Sequence, residues 1–421
     1  MLCYNDVVMN IYFERKIKMN IAVAQSGGPT SVINASLLGV FKEGLKHSEI
    51  GTVYGSFNGI EGVINDNLVD LKDVIRTNED MELLSQTPST ALGSCRYKLP
   101  EEEKSPEVYN KIVDCFDRYN IKAFFYIGGN DSMDTVNKLS KYFKKINKDI
   151  KVMGVPKTID NDLCETDHTP GFGSAAKFVA TTLKEITSDS SVYNLKSVTI
   201  VEIMGRHAGW LAASSCILHA TGEAAPHLIY LPECEFSLEN FLKDVGKKLE
   251  QFSSVIVAVS EGITLNTPEN TVAHKADGFG HVTLSGIGKQ LEKIVAEKLS
   301  VKVRSIELNV LQRCASHFCS LTDIDEAEKI GSAAVAAALK GETGKMMAFR
   351  RISDSPYAVI AEAVDTEKVA NKEKFFPKEW INAEQNNVLD DALAYFLPLI
   401  QGEQTIKTKN GLPMHYKIKN S

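Results

Sequence analysis

The heptapeptide Pro156-Lys157-Thr158-Ile159-Asp160-Asn161-Asp162 follows the apolar run Val152–Val155 and sets a lysine and two carboxylates side by side. A short apolar run that opens into a polar loop reads as a buried strand of a parallel sheet covered on both faces. In such sheets ligands collect at the carboxyl ends of strands, where loops lead into helix N-termini. The rest of the chain supports that reading. Strand-like runs at Ile21–Ala24, Ala123–Ile127, Val198–Ile203, Leu228–Leu231 and Val255–Val259 alternate with helical patterns. Those patterns cover about Thr30–His47, Asp131–Phe143, Ala175–Ser188, Leu238–Gln251 and Gly286–Leu299. The fold class expected is therefore α/β.

Five further motifs sit at such junctions. Ser26-Gly27-Gly28-Pro29-Thr30 ends the first strand, and its glycines let backbone N–H groups approach an anion at a helix N-terminus. It is neither G-x-G-x-x-G nor a Walker A sequence, and alone it reads equally well as a tight turn. Gly128-Gly129-Asn130-Asp131-Ser132 offers either a helix cap or a phosphate-and-metal site. In Met204-Gly205-Arg206-His207 the arginine reads as an exposed charge or, with glycine before it, as a group a ligand can approach, and His207 as a hydrogen-bonded or helix-start residue rather than a metal ligand. Ser260-Glu261-Gly262 and Leu311-Gln312-Arg313 are unspecific alone. The heptapeptide is less ordinary. Asp and Asn form turns readily, but Lys157 beside Asp160 also suits phosphoryl transfer to an alcohol. Asp160 would accept the hydroxyl proton while Lys157 neutralises charge on the donor's oxygens.

Taken together and in this order, the six motifs resemble the phosphofructokinase family, from about residue 19 to about residue 340. The resemblance implies two lobes, each with a largely parallel sheet flanked by helices, and an active site in the cleft between them. It implies that Asp160 is the general base for the sugar 1-hydroxyl. Thr158, Met204, Gly205, Arg206, Glu261 and Arg313 match positions that hold fructose 6-phosphate. Arg304 matches a sugar-phosphate arginine commonly supplied across a subunit interface, so a homo-oligomer, dimer or tetramer, is expected. Gly27 and Gly28 match the donor-phosphate loop, and Arg96, in Leu92-Gly93-Ser94-Cys95-Arg96, the arginine over the transferred group. Mg²⁺ is the implied cofactor, with Asn130 and Asp162 as the candidate ligands.

Two positions bear on the donor. ATP-using members resemble P-G-T-I-D-N-D and G-G-D-G-S, whereas this chain has Lys157 and Asp131 in place of two of those glycines. The pairing resembles the pyrophosphate-using branch. Physically, a carboxylate at Asp131 would face a nucleotide α-phosphate, and like charges at ~4 Å cost about 1–4 kcal/mol. Lys157 would neutralise the phosphate that leaves. Transfer from ATP and a non-catalytic regulatory subunit are the alternatives; the second predicts loss of Asp160 or Arg206, and both are present. The chain departs from the family at three places. Asn130 replaces a more usual Asp, Ser197 (beside Lys196) an arginine, and Val310 a Tyr or His.

Composition sets outer limits. Lys plus Arg number 47 against 54 Asp plus Glu, a net charge of −7, which argues against a nucleic-acid partner but allows a basic pocket for an anionic substrate. The eight cysteines include no C-x-x-C pair, which points to reduced thiols in the cytoplasm. No apolar run approaches the ~20 residues that span a bilayer. Residues 1–18 lack an apolar signal core and are expected to be a leader outside the fold. Lys138–Lys151 reads as a solvated helix face with its exit loop, and Thr264–Thr283 as an insertion or mobile loop. The lobes are expected as 19–170 with the chain after about 313 for the donor phosphate, and 171–313 for fructose 6-phosphate. Residues 345–421 are expected as a C-terminal extension, with a strand at Tyr357–Ala363 and a helix near Leu389–Phe396.

Overall fold

The first apolar run becomes strand β1 (Met19–Gln25), whose Ile21–Ala24 are fully buried. It lies mid-sheet between β2 (Ile50–Ser56) and, two strands on in the chain past the short β3 (Leu68–Asp70), β4 (Ile121–Gly128). The heptapeptide strand is β5 (Lys151–Pro156). A second group follows: β6 (Ser197–Ile203), β7 (Leu228–Tyr230), β8 (Ser254–Ser260) and β9 (Lys302–Glu307). The last two are β10 (Lys345–Asp354) and β11 (Tyr357–Asp365). This computed structural model describes residues 18–265 and 286–418. The expected leader up to residue 17 and the stretch 266–283 of the expected insertion lie outside the described residues.

Two sheets result. The larger has the order β11-β10-β5-β4-β1-β2-β3 and the smaller β7-β8-β6-β9. Every pairing in the smaller sheet is parallel, as are those from β10 through β5, β4 and β1 to β2. The edges differ: β3 returns antiparallel to β2, and β11 antiparallel to β10. Asp354 pairs with Tyr357, so two residues join β10 to β11, a link too short for a parallel crossover. β9 was not legible as a strand because it alternates Lys, Val, Arg, Ser, Ile and Glu and is half exposed at a sheet edge.

Helices cover both faces. Ile33–Lys46, which follows the first glycine motif, packs on Leu321–Leu339. A Cβ on Gly39 would stand 2.1 Å from the carbonyl oxygen of Glu328, and one on Gly331 would stand 2.2 Å from that of Ser36. The two backbones therefore touch where only glycine fits, which fixes the helix behind the first motif. The chain after Gly344 is built into both halves. β10 and β11 complete the larger sheet, while Phe376, Tyr395 and Phe396 surround Trp210 and Phe172 beside the smaller one. Trp210 lies 5.2 Å from both the Phe376 and Tyr395 rings, centroid to centroid. Among the described residues, no helix is long and apolar enough to cross a membrane.

Candidate active site

The carboxyl ends of β1, β4 and β5 face those of β6, β8 and the turn after β9 across a cleft. Two adjoining cavities, about 290 and 570 Å³, fill it and share Asp131, Asp160, Asp162, Met204, Arg313 and Glu373 among their walls. Thr158, Asn130 and Lys157 line the larger, and Arg96, Arg206 and Glu261 the smaller.

On the first side, backbone bonds knit the loops together. Gly27 N–H donates to the Cys95 carbonyl at 3.1 Å, and Lys157 N–H to the Gly128 carbonyl at 3.0 Å. The Ser94 hydroxyl donates to the Gly27 carbonyl at 2.7 Å, so Arg96 is carried beside the glycine loop. Lys157 is 2% exposed; its ammonium donates to the Gly28 carbonyl at 2.5 Å. A Cβ on Gly27 would come within 3.3 Å of that ammonium, and one on Gly28 within 3.4 Å of Arg313 Nη1. The glycines thus leave room for two cations beside the loop. Burial pushes Lys157 down to about 8, against the pull of Asp160 and Asp162.

The two carboxylates respond in the opposite sense. Burial, then the charge of Glu261, raises Asp160, while Lys157 holds it back. Asp160 N–H donates to Thr158 Oγ1 at 3.0 Å. Burial and the neighbouring Asp160 push Asp162 up to about 7. Between them Asn161 turns inward with φ +55° and is fully buried. The alternation aims both carboxylates at the cleft and the amide at the interior. Asp131 stands in the first turn of helix Asn130–Lys145, exposed, 3.8 Å from Lys98.

The second side supplies Arg206 and Arg313. Arg206 Nε lies 3.7 Å from Glu261 Oε1, which also accepts from Gly205 N–H at 3.4 Å. Burial raises the Glu261 carboxyl. The buried Gln312 accepts from Met204 N–H at 3.2 Å, tying the turn after β9 to the end of β6. Arg313 Nε is buried with no hydrogen-bond partner. Such a donor, facing a cavity, is ready for a ligand's oxygen.

Arg304 is the exception. It lies on β9 outside both cavities, 55% exposed and 3.6 Å from Asp189. Ser197 shares that outer location, and Val310 is exposed. The sequence reading missed Glu373 and Phe375, which line the cleft, and Lys374 behind it. No local signal marks them, because Lys372-Glu373-Lys374 reads as ordinary surface charge.

The fold agrees with that of known proteins. The family model described as Phosphofructokinase matches residues 20–338. The chain belongs to the phosphofructokinase family. Within it, the chain is 38% identical over 403 residues to a pyrophosphate–fructose 6-phosphate 1-phosphotransferase from Halomonas elongata, covering 95% of this chain and 96% of that one. A sulfofructose kinase from Alkalicoccus urumqiensis is 34% identical, covering 86% and 92%. The crystal structure of a pyrophosphate-dependent phosphofructokinase from Marinobacter aquaeolei superposes with a TM-score of 0.84 at 36% identity, covering 96% and 97%.

Proposed function

We propose that the protein transfers a phosphoryl group from pyrophosphate to the 1-hydroxyl of fructose 6-phosphate, giving fructose 1,6-bisphosphate and phosphate, reversibly. The observation that carries this is the buried Lys157 ammonium under the Gly27–Gly28 loop, with Asp131 on the wall of the same cavity. The sugar oxygen attacks the terminal phosphorus as the bridging P–O bond breaks. Asp160 takes the hydroxyl proton, and Lys157 with Arg96 offsets charge on the phosphate oxygens. Arg206, Arg313, Glu261, Thr158, Met204 and Gly205 hold the sugar phosphate.

Mg²⁺ fits this cavity. Asn130 Oδ1 is buried without a hydrogen-bond partner, and Asp162 lines the same wall, a hard-oxygen donor set. Among the described residues no group of three or more His, Cys, Asp or Glu could hold a metal alone, so substrate oxygens and water would complete the shell. Bound there, the ion would withdraw charge from the transferred group.

The lobe roles keep the expected division, 19–170 with the chain after about 313 for the donor and 171–313 for the sugar phosphate, only as far as β11, because Phe376, Tyr395 and Phe396 pack beside the smaller sheet. A homo-oligomer, dimer or tetramer, is supported by the place of Arg304, outside its own cleft near the exposed Val192, Tyr193 and Leu195. A cytoplasmic setting is supported by the free described cysteines. The deciding experiment offers purified protein Mg²⁺ with pyrophosphate or ATP, and fructose 6-phosphate or sulfofructose as acceptor. Turnover is expected with pyrophosphate and fructose 6-phosphate; preference for another pair overturns the reading.

A further inference from the structure

Residues 372–376 cross from the larger sheet to the smaller one and touch three of the six motifs on the way. The Lys372 carbonyl accepts from Asn130 Nδ2 at 2.5 Å, and Glu373 Oε1 lies 2.8 Å from His207 Nδ1. Lys374 N–H donates to the Asp162 carbonyl at 2.7 Å, and its own carbonyl accepts from Trp210 Nε1 at 2.9 Å. The Lys374 ammonium points away from the cleft. It donates to the carbonyls of Asp167 and Thr166 at 2.8 and 3.1 Å and to Asn161 Oδ1 at 3.5 Å, and stands 4.8 Å from the Trp210 ring centroid. Asn161 is held from the same side, donating to the Tyr395 hydroxyl at 2.8 Å; that hydroxyl donates to the Asp167 carbonyl at 2.6 Å.

We propose that Lys374 is a positioning residue for the phosphoryl transfer, clamping the loop 158–169 from behind so that Asp160 and Asp162 face the cleft. The clamp rests on the reading of Asp160 as the base. Its geometry suits that role, because one cation gathers three oxygens from both ends of the loop and Asn161 is the residue between the two carboxylates. Without the ammonium those oxygens lose a charged donor in a buried place, and the loop gains freedom where placement errors of ~1 Å cost about a hundredfold in rate. The sugar-phosphate groups on the other lobe keep their own partners.

The test compares wild type with Lys374→Met, Lys374→Arg and Tyr395→Phe. With the donor that wild type uses, Lys374→Met is expected to lower kcat about 10–100-fold while the KM for fructose 6-phosphate, which the freed loop touches only through Thr158, rises by a smaller factor. Lys374→Arg should restore part of the loss. Tyr395→Phe, nearly isosteric, should lower kcat in the same direction by a smaller factor, and it decides the matter if Lys374→Met does not fold. Amide exchange across 158–169 should speed up in each folded Met or Phe variant, a readout independent of donor and turnover. Wild-type kcat in the folded variants, or a loss carried by KM alone, overturns the clamp. Absence of transfer in wild type overturns the proposed reaction, and the clamp is then judged by exchange, where unchanged rates overturn it.

Discussion

The Lys157 ammonium lies 2.5 Å from the Gly28 carbonyl oxygen, which joins the end of β5 to the end of β1 through a buried charge. That bond holds the lysine beneath the loop where an anion would sit. A protonated lysine there attracts pyrophosphate; a neutral one does not. Burial holds its value near 8, so the charge is present below that pH and is lost above it. The kcat/KM for pyrophosphate should therefore fall as pH rises beyond about 8. In Lys157→Arg, which stays protonated, a surviving fall over the same range would assign it to another group.

Asp160→Asn should nearly abolish turnover while fructose 6-phosphate still binds. Asn keeps the shape and the N–H bond to Thr158 Oγ1 but cannot take a proton. Loss of a general base costs about 10²–10⁴-fold. Calorimetry of sugar-phosphate binding beside single-turnover rates separates the two effects; a variant retaining more than about a tenth of wild-type turnover removes Asp160 from the base role.

Arg206→Ala and Arg313→Ala should both raise the KM for fructose 6-phosphate, each charge-assisted bond being worth about 1.5–3 kcal/mol. They should differ in one respect. Arg313 Nη1 reaches the Gly28 end of the donor loop, so its loss should also weaken pyrophosphate. Arg206 is paired with Glu261 on the other lobe and should leave the donor KM nearly unchanged. Equal donor effects in both variants would contradict the division of the cleft.

A stability prediction concerns His168, 1% exposed between Asp167 and Glu326 at 2.8 and 2.6 Å. These carboxylates overcome burial and raise it to about 9 from 6.5. A value higher when folded stabilises the protein fully below pH 6.5, and that share is lost as pH rises through 9. Arg351 and Tyr357 complete the buried set, pairing with Asp167 and Glu326. Denaturant titrations of wild type should thus lose more stability between these values than those of His168→Gln. Parallel slopes would mean the ring is neutral when folded.

Much of this cleft was legible because its chemistry clusters at strand ends, where each loop's residues are neighbours in sequence. Lys157, Asp160 and Asp162 lie within one turn, and so do Met204, Gly205 and Arg206. The crossing segment 372–376 was illegible for the converse reason: Asn161 and Lys374 lie 213 positions apart, and nothing local distinguishes Lys374 from a solvated lysine. Of the two antiparallel edges, β11 was legible as a strand at Tyr357–Ala363, whereas the three-residue β3 escaped because a short, half-buried edge strand need not be apolar on both faces. Arg304 was assigned by the family resemblance alone, and the single chain leaves it outside its own cleft.

The donor gate is the sharpest test. Asp131 is exposed beside Lys98 at 3.8 Å, a pair worth little to stability, so Asp131→Gly should fold normally. Wild type should use pyrophosphate with little or no activity on ATP, because the Asp131 carboxylate lies on the cavity wall, at the position where the family resemblance puts a nucleotide's α-phosphate. Asp131→Gly should admit ATP weakly, while Lys157 continues to favour pyrophosphate. Lys157→Gly combined with Asp131→Gly should lose more pyrophosphate activity than it gains with ATP, since removing two side chains makes room without making contacts for an adenosine. The residues share one donor, so their effects should be strongly non-additive. Rates with both donors across the four proteins of the cycle decide it. ATP preferred by wild type, or ATP use untouched by Asp131→Gly, would remove Asp131 as the gate.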